Sequence, residues 1–213
     1  MTAIDDAAAA AVRGELIAFP TDTVYGIGTR PDDPDATRRL FDAKGRPREL
    51  TLPVLVPTFE VARTIASFDE RAERLASAAW PGPMTLVLPR TDASRGWDLG
   101  EAVDTIGVRI PRHPLAGALL AIAGPLATTS ANRSGEPPAR TGEELEAAFG
   151  DRVAIYLCQD EPLEGRASTV VDLSDGEPRV MRAGAFDRGD VERLLAGEDP
   201  LLDSPPSDPP ERG

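Results

Sequence analysis

A mixed α/β sheet with flanking helices is predicted by three features of this 213-residue chain. Short apolar runs alternate with helix-forming stretches, and several of those stretches carry their own start and stop residues. Near the C-terminal end, two strand-like runs stand a hairpin length apart, a spacing that only antiparallel strands can use.

Taken in order, Ala3 to Arg13 is alanine-rich and stops at Gly14, which reads as a helix. Glu15 to Phe19 is a short apolar run closed by Pro20 and reads as a buried strand. Asp33 and Pro34 supply a cap and a first-turn proline for a helix through Ala43. Leu52 to Val56 reads as a strand, Glu60 to Ala66 and Asp69 to Ala79 as helices, and Met84 to Leu88 as a strand. A Gly- and Asp-rich loop spans Asp92 to Gly100. Beyond it come a strand over Thr105 to Ile110, a helix over Pro114 to Ile122 closed at Gly124, and a strand over Leu126 to Thr129. Gly142 to Phe149 reads as a helix, and Val153 to Cys158, Thr169 to Leu173 and Arg179 to Arg182 as strands. From Gly197 onward the chain turns to Asp, Glu, Ser and proline pairs. That composition predicts a disordered acidic tail over 197–213 behind a folded domain over 1–196.

The bulk numbers exclude some functions. A formal charge of −13 disfavours a protein that grips nucleic acid by neutralising phosphates. A local basic pocket in such a protein would suit a small anion. The lone Cys158 excludes an internal disulfide and reads as a small buried hydrophobe, and no Cys/His cluster has zinc-ligand spacing. The N-terminus, with Asp5 and Asp6, does not read as a signal peptide, and no apolar run reaches the roughly 20 residues of a membrane span. A soluble, cytoplasmic protein is expected.

The polar residues that could carry chemistry collect at strand ends, where open α/β sheets bind ligands. One lysine, Lys44, stands among 23 basic residues, in Lys44-Gly45-Arg46-Pro47. A compact ammonium beside a planar guanidinium suits an anion, since the two groups recognise phosphate differently. The alternative is an ordinary solvent lysine in a turn. The segment from Pro20 to Gly28 offers Thr21, Asp22, Thr23 and turn-permitting glycines. Asp22 reads as a cap of its own loop, with a metal ligand as the lesser candidate. Arg109 lies inside an apolar strand, which is costly unless it meets a ligand anion or an internal carboxylate. Ser130 and Asn132 would project the same way if strand geometry runs through them. Ser168, with Arg182 at the end of the neighbouring run, completes the set. There is no P-loop motif, no glycine fingerprint after a strand, and no Ser-His-Asp set, because the only histidine, His113, reads as a helix cap.

In order, PTDTVYGIG, AKGRP, WPGPMTLVLP, GVRIPRHP, TSANRSGEPP and STVVDL followed by RVMRAGA resemble the YrdC/TsaC family of L-threonylcarbamoyladenylate synthases. The likeness runs from about Glu15 to Ala185 and corresponds to the short form, without the appended second domain of longer members. It implies a twisted mixed sheet around a positively charged cavity. It further implies a nucleotidyltransferase that makes threonylcarbamoyl-AMP and pyrophosphate from L-threonine, bicarbonate (as carbon dioxide) and ATP. Mg²⁺ would accompany the ATP, and no protein metal ligand can be chosen. A separate threonylcarbamoyl-transferase complex would then modify the adenosine beside the tRNA anticodon, with little direct tRNA binding by this chain.

Carried across residue by residue, the resemblance puts the threonine site on Thr23, Arg109, Ser130 and Ser168. The ATP site falls on Lys44, Arg46, Thr105, Asn132, Arg140 and Arg182, with Lys44 and Arg46 as the catalytic pair. This chain departs from many relatives after the lysine motif, carrying Leu50-Thr-Leu-Pro53 and Leu55 where they have an Asn-Pro-Leu and then a His. Arg48 or Thr51 could stand in for the contacts so lost. Two rivals remain: a carbamoyl-adenylate-forming module, and a noncatalytic protein binding double-stranded RNA.

Overall fold

The computed structural model describes residues 2–163 and 165–198. The tail expected from Gly197 therefore lies, from position 199 on, outside the described residues.

Each helix begins where the sequence offers a capping oxygen. In α1 (Ala3–Val12), Thr2 and Asp5 cap each other's backbone reciprocally. In α2 (Pro34–Lys44), the Asp33 carboxylate accepts from the Asp35 and Ala36 N–H groups. Thr58 and Asp69 cap α3 (Phe59–Ile65) and α4 (Glu70–Ala79). His113 does cap α5 (Pro114–Ala123), its Nδ1 accepting from Leu115 N–H at 3.2 Å. Thr141 caps α6 (Gly142–Phe149), and Asp187 caps α7 (Arg188–Ala196), a helix the sequence reading did not anticipate. The end of α2 matters most for the site. Gly45 takes a left-handed conformation (φ 63°) that ends the helix and returns the Arg46 N–H to the Phe41 carbonyl. Lys44 thus stays on the last helical turn while Arg46 leaves it.

Nine strands form one mixed sheet: β1 (Ile17–Phe19), β2 (Gly26–Thr29), β3 (Val54–Leu55), β4 (Met84–Pro89), β5 (Thr105–Arg109), β6 (Leu126–Ser130), β7 (Ile155–Tyr156), β8 (Thr169–Asp172) and β9 (Arg179–Arg182). Their order is β7-β1-β2-β6-β3-β5-β4-β8-β9. The β1/β7, β3/β5 and β4/β8 pairs are parallel and the others antiparallel, as expected of a mixed sheet.

Strand β2 was missed because its two glycines lower strand propensity. Their use is steric: a Cβ on Gly28 would sit 2.7 Å from Thr128 Cγ2 and 2.9 Å from the Ala127 carbonyl oxygen. Cys158 was also misjudged. It lies beyond the two-residue β7 and is exposed, so the apolar run there is shorter than its composition suggests.

The strand alternation sorts side chains between two cores. Ala18, Val54, Leu86, Val108 and Ala127 join the larger core, against α2, α3, α4, α6 and α7. Ile17, Phe19, Leu55 and Leu126 face the other way, where α1 and α5 cover them with Ala7, Ala11, Leu119 and Leu120. Each fully buried Leu, Ile or Phe contributes about 1.5–3 kcal/mol. Those two helices do not cover this whole second face. Register places Gly26, Thr128, Leu55 and Arg109 in successive strands there, with Thr85 next in β4. Mostly small and polar side chains leave a cavity between them.

Candidate active site

The cavity has a volume of about 320 Å³. It gathers Thr23, Arg46, Arg109, Ser130, Asn132, Ser168 and Arg182 from segments far apart in the sequence. Its wall carries three guanidinium groups and one carboxylate, Glu136, among the described residues.

Arg109 closes one end of it. The side chain is almost wholly buried, and it donates from Nε to the Gly82 carbonyl (2.9 Å), from one terminal nitrogen to Thr23 Oγ1 (2.9 Å), and from the other to Asp22 Oδ1 (2.6 Å). Three of its five N–H groups are thus engaged. Burial lowers the guanidinium's pKa, Asp22 opposes that shift, and the neighbouring Arg182 adds to it. The sequence left a ligand anion and an internal carboxylate as alternatives for this arginine, and the internal carboxylate is present. Asp22 therefore does not cap its own loop. Its Oδ1 accepts from Arg109 and from the Arg112 backbone N–H, while Oδ2 is buried without a partner.

The hydroxyls around Arg109 have a fixed direction. Thr21 Oγ1 donates its only proton to the Val24 carbonyl at 2.6 Å, so across the 2.9 Å Thr21–Thr23 contact Thr23 must be the donor. Thr23 accepts from Arg109 and can offer a ligand only its remaining lone pair.

Arg46 and Arg182 also line the wall, and Arg182 is near enough to Arg109 for its charge to act on it. Arg46 donates to the Leu50 carbonyl (2.6 Å), the Thr51 carbonyl (3.1 Å) and Thr129 Oγ1 (3.3 Å). Arg182 grips Ser168 through its carbonyl (2.8 Å) and Oγ (3.0 Å), and Ser168 Oγ lies 3.0 Å from Thr85 Oγ1. Burial lowers the pKa of both arginines, and for Arg46 the neighbouring Arg182 adds to the shift.

Lys44 is placed differently from the expectation. It is buried beneath the wall rather than in it, and its ammonium meets four acceptors on one turn. These are the Ser130 carbonyl (2.7 Å) and Oγ (3.2 Å), and the Asn132 carbonyl (3.0 Å) and Oδ1 (2.8 Å). Burial first, then Arg46, pulls its pKa down to about 8. The solvent-lysine alternative is excluded.

Asn132 reaches the cavity, but its amide is spent on the loop. Nδ2 donates to the Arg133 and Glu136 carbonyls, and Oδ1 accepts from Lys44 and from Ser130 Oγ at 2.6 Å. No donor remains on it for a nucleotide base.

Two expected nucleotide contacts are not brought to the cavity. Thr105 begins β5, four residues from Arg109 and so about 13 Å away along the strand. Its carbonyl accepts from Arg90. Arg140 lies outside the wall and donates to the Leu163 carbonyl. Nor does Arg48, expected as a stand-in after the lysine motif, line the cavity, for it pairs with Asp98 and stacks on Phe41. Thr51 contributes through its carbonyl to Arg46, and Leu55 lines the cavity as a plain apolar surface. Thr21, offered by the Pro20 to Gly28 segment, does line the cavity, whereas Thr85 and Thr129 were missed, since isolated threonines in strands carry no sequence signal of a site.

The family model Sua5/yciO/yrdC, described as "Telomere recombination", matches residues 9–184, which include every cavity residue. The chain belongs to the Sua5/YciO/YrdC family. A Mycobacterium tuberculosis relative is 41% identical over 183 residues, covering 85% of this chain and 84% of the relative. The threonylcarbamoyl-AMP synthase of Vibrio parahaemolyticus is 37% identical over 178 residues, covering 81% of this chain and 94% of its own. Among solved structures, Pyrococcus abyssi Sua5 complexed with L-threonine superposes with a TM-score of 0.81 at 35% identity. That match takes in 90% of this chain but 56% of the archaeal protein, so this family member spans little more than half of Sua5.

Proposed function

We propose that the protein is a threonylcarbamoyl-AMP synthase, joining L-threonine, carbon dioxide from bicarbonate and ATP into threonylcarbamoyl-AMP and pyrophosphate. The product serves threonylcarbamoyl-adenosine formation in tRNA, and a transferase complex consumes it. One observation carries this reading. A single cavity holds a guanidinium flanked by hydroxyls together with two further guanidiniums that, among the described residues, have no carboxylate partner. That is a site for a small amino acid beside a phosphate chain.

Arg109 takes the threonine carboxylate on its two unused N–H groups, and Thr23, Ser130 and Ser168 surround the rest of the amino acid. The threonine amine attacks carbon dioxide, and a carbamate oxygen then attacks the α-phosphorus as pyrophosphate leaves. Arg46 and Arg182 stabilise the charge that builds on the phosphates, in a half-enclosed site where such contacts gain strength. Lys44 adds its charge from below and holds the turn bearing Ser130. Among the described residues no group of three or more His, Cys, Asp or Glu side chains could cage a metal. Glu136 is a carboxylate in the wall, and Mg²⁺ is commonly held by one carboxylate with substrate phosphates. It would hold Mg²⁺ with those phosphates, and the ion would neutralise part of their charge.

The test is pyrophosphate release from ATP with L-threonine and bicarbonate each present or withheld. Release that requires both supports the synthase, whereas ATP turnover indifferent to threonine removes it.

A further inference from the structure

The four cations at the cavity do not have equal partners. Lys44, Arg46 and Arg182 donate only to carbonyls, hydroxyls and one amide oxygen, and among the described residues no carboxylate pairs with any of them. Arg109 alone has a counter-ion, Asp22, with side-chain exposures of 6% and 13% for the two partners. A buried pair in contact is nearly neutral as seen from a ligand's distance, while an unpaired guanidinium is not.

We infer that Asp22 is a specificity-determining positioning residue: it offsets the charge of Arg109, so that the part of the cavity at Arg109 admits a zwitterion and refuses phosphate. The inference rests on the synthase reading, in which a neutral amino acid and a polyanion must each find its own end of one cavity. A zwitterion carries no net charge for the Asp22 field to repel, and its carboxylate can take the two N–H groups that Arg109 leaves unused. A phosphate placed there would meet a carboxylate charge with little water to screen it.

The geometry keeps that charge available. Both donors that reach Asp22, from Arg109 and from the Arg112 backbone, converge on Oδ1, and Oδ2 is left buried with no donor. The negative charge is therefore not quenched by further hydrogen bonds. Because Oδ2 is closed off from the cavity, Asp22 acts through Arg109 and through its field.

The experiment is inorganic phosphate inhibition of threonine-dependent pyrophosphate release, in the wild type and in the Asp22→Asn variant, which keeps an oxygen for both donors but loses the charge. In the wild type, phosphate should compete with ATP and not with threonine. In the variant, phosphate should also compete with threonine, with an inhibition constant at that end at least tenfold lower, while its competition with ATP is unchanged. A purely structural role for Asp22 would loosen Arg109 and weaken phosphate there, the opposite change. An unaltered inhibition pattern in a folded Asp22→Asn variant overturns the inference. So does phosphate competing with threonine in the wild type, which requires no variant to fold. Wild-type release that ignores threonine overturns the synthase reading itself and this inference with it.

Discussion

Replacing Lys44 by arginine keeps the charge and should nevertheless cripple the enzyme. The ammonium is a single donor centre ringed by four oxygens at 2.7–3.2 Å, all on the Ser130–Asn132 turn. A planar guanidinium directs its N–H groups outward along fixed lines and cannot serve acceptors that converge on one point. At least two contacts would be lost, and hydrogen bonds from a charged donor are worth about 1.5–3 kcal/mol each. Allowing for relaxation, about 2–4 kcal/mol would fall on a turn that carries Ser130 into the cavity. At about 1.4 kcal/mol per decade, the expected loss in kcat/KM for threonine is about 30- to 700-fold. Steady-state pyrophosphate release at saturating ATP measures this, with a melting curve as the check on folding.

The wild type carries a companion signature. Its Lys44 pKa is pulled down to about 8, so the charged form is lost as pH rises through that value. The group is active when protonated, so kcat/KM for ATP should hold below about pH 8 and fall about tenfold per unit well above it. Arginine stays charged there, and the variant should lack this alkaline limb. Wild-type-like turnover in Lys44→Arg would refute the argument that the turn needs a point donor.

Three further outcomes are expected. The cavity hydroxyls should read the substrate's own, so 2-aminobutyrate should be a far poorer substrate than threonine and serine intermediate, and equal rates would sink that view. Gly28→Ala should lower stability by about 1–3 kcal/mol in chemical denaturation, because one of the clashing atoms is a main-chain oxygen that cannot swing away. Truncation after Glu198 should leave the melting temperature and threonine-dependent turnover unchanged, since the removed segment is acidic and proline-rich with little apolar material beyond Leu201 and Leu202. A marked drop in melting temperature would show that it docks.

Much of the fold was legible because local chemistry agreed with the outcome. Capped helices such as Pro34–Lys44 and apolar strands such as Met84–Pro89 announce themselves within ten residues. Strand β2 did not, since a glycine chosen for what lies across the sheet looks, in one dimension, like a turn. At the site, family motifs located the right segments but not the finer roles. Thr105 and Arg109 belong to one strand, yet that strand carries its two ends to different places. The Asp22–Arg109 pair joins positions 87 apart, and no local pattern foretells such a partner. Asn132 shows a third limit, for its residue type suits a nucleotide contact while its amide is already saturated by neighbours.

All three wall arginines share a feature with a consequence for how this family varies. Arg46 is held by the carbonyls of Leu50 and Thr51, Arg109 by that of Gly82, and Arg182 by that of Ser168. A carbonyl is present whatever side chain its residue bears. Positions 50 and 51 can therefore drift freely in sequence while Arg46 stays where it is. Covariation between homologues should accordingly find no side-chain partner for Arg46 at those positions. Its placement would be inherited through the path of the main chain, and so could persist after much of the surrounding sequence has changed.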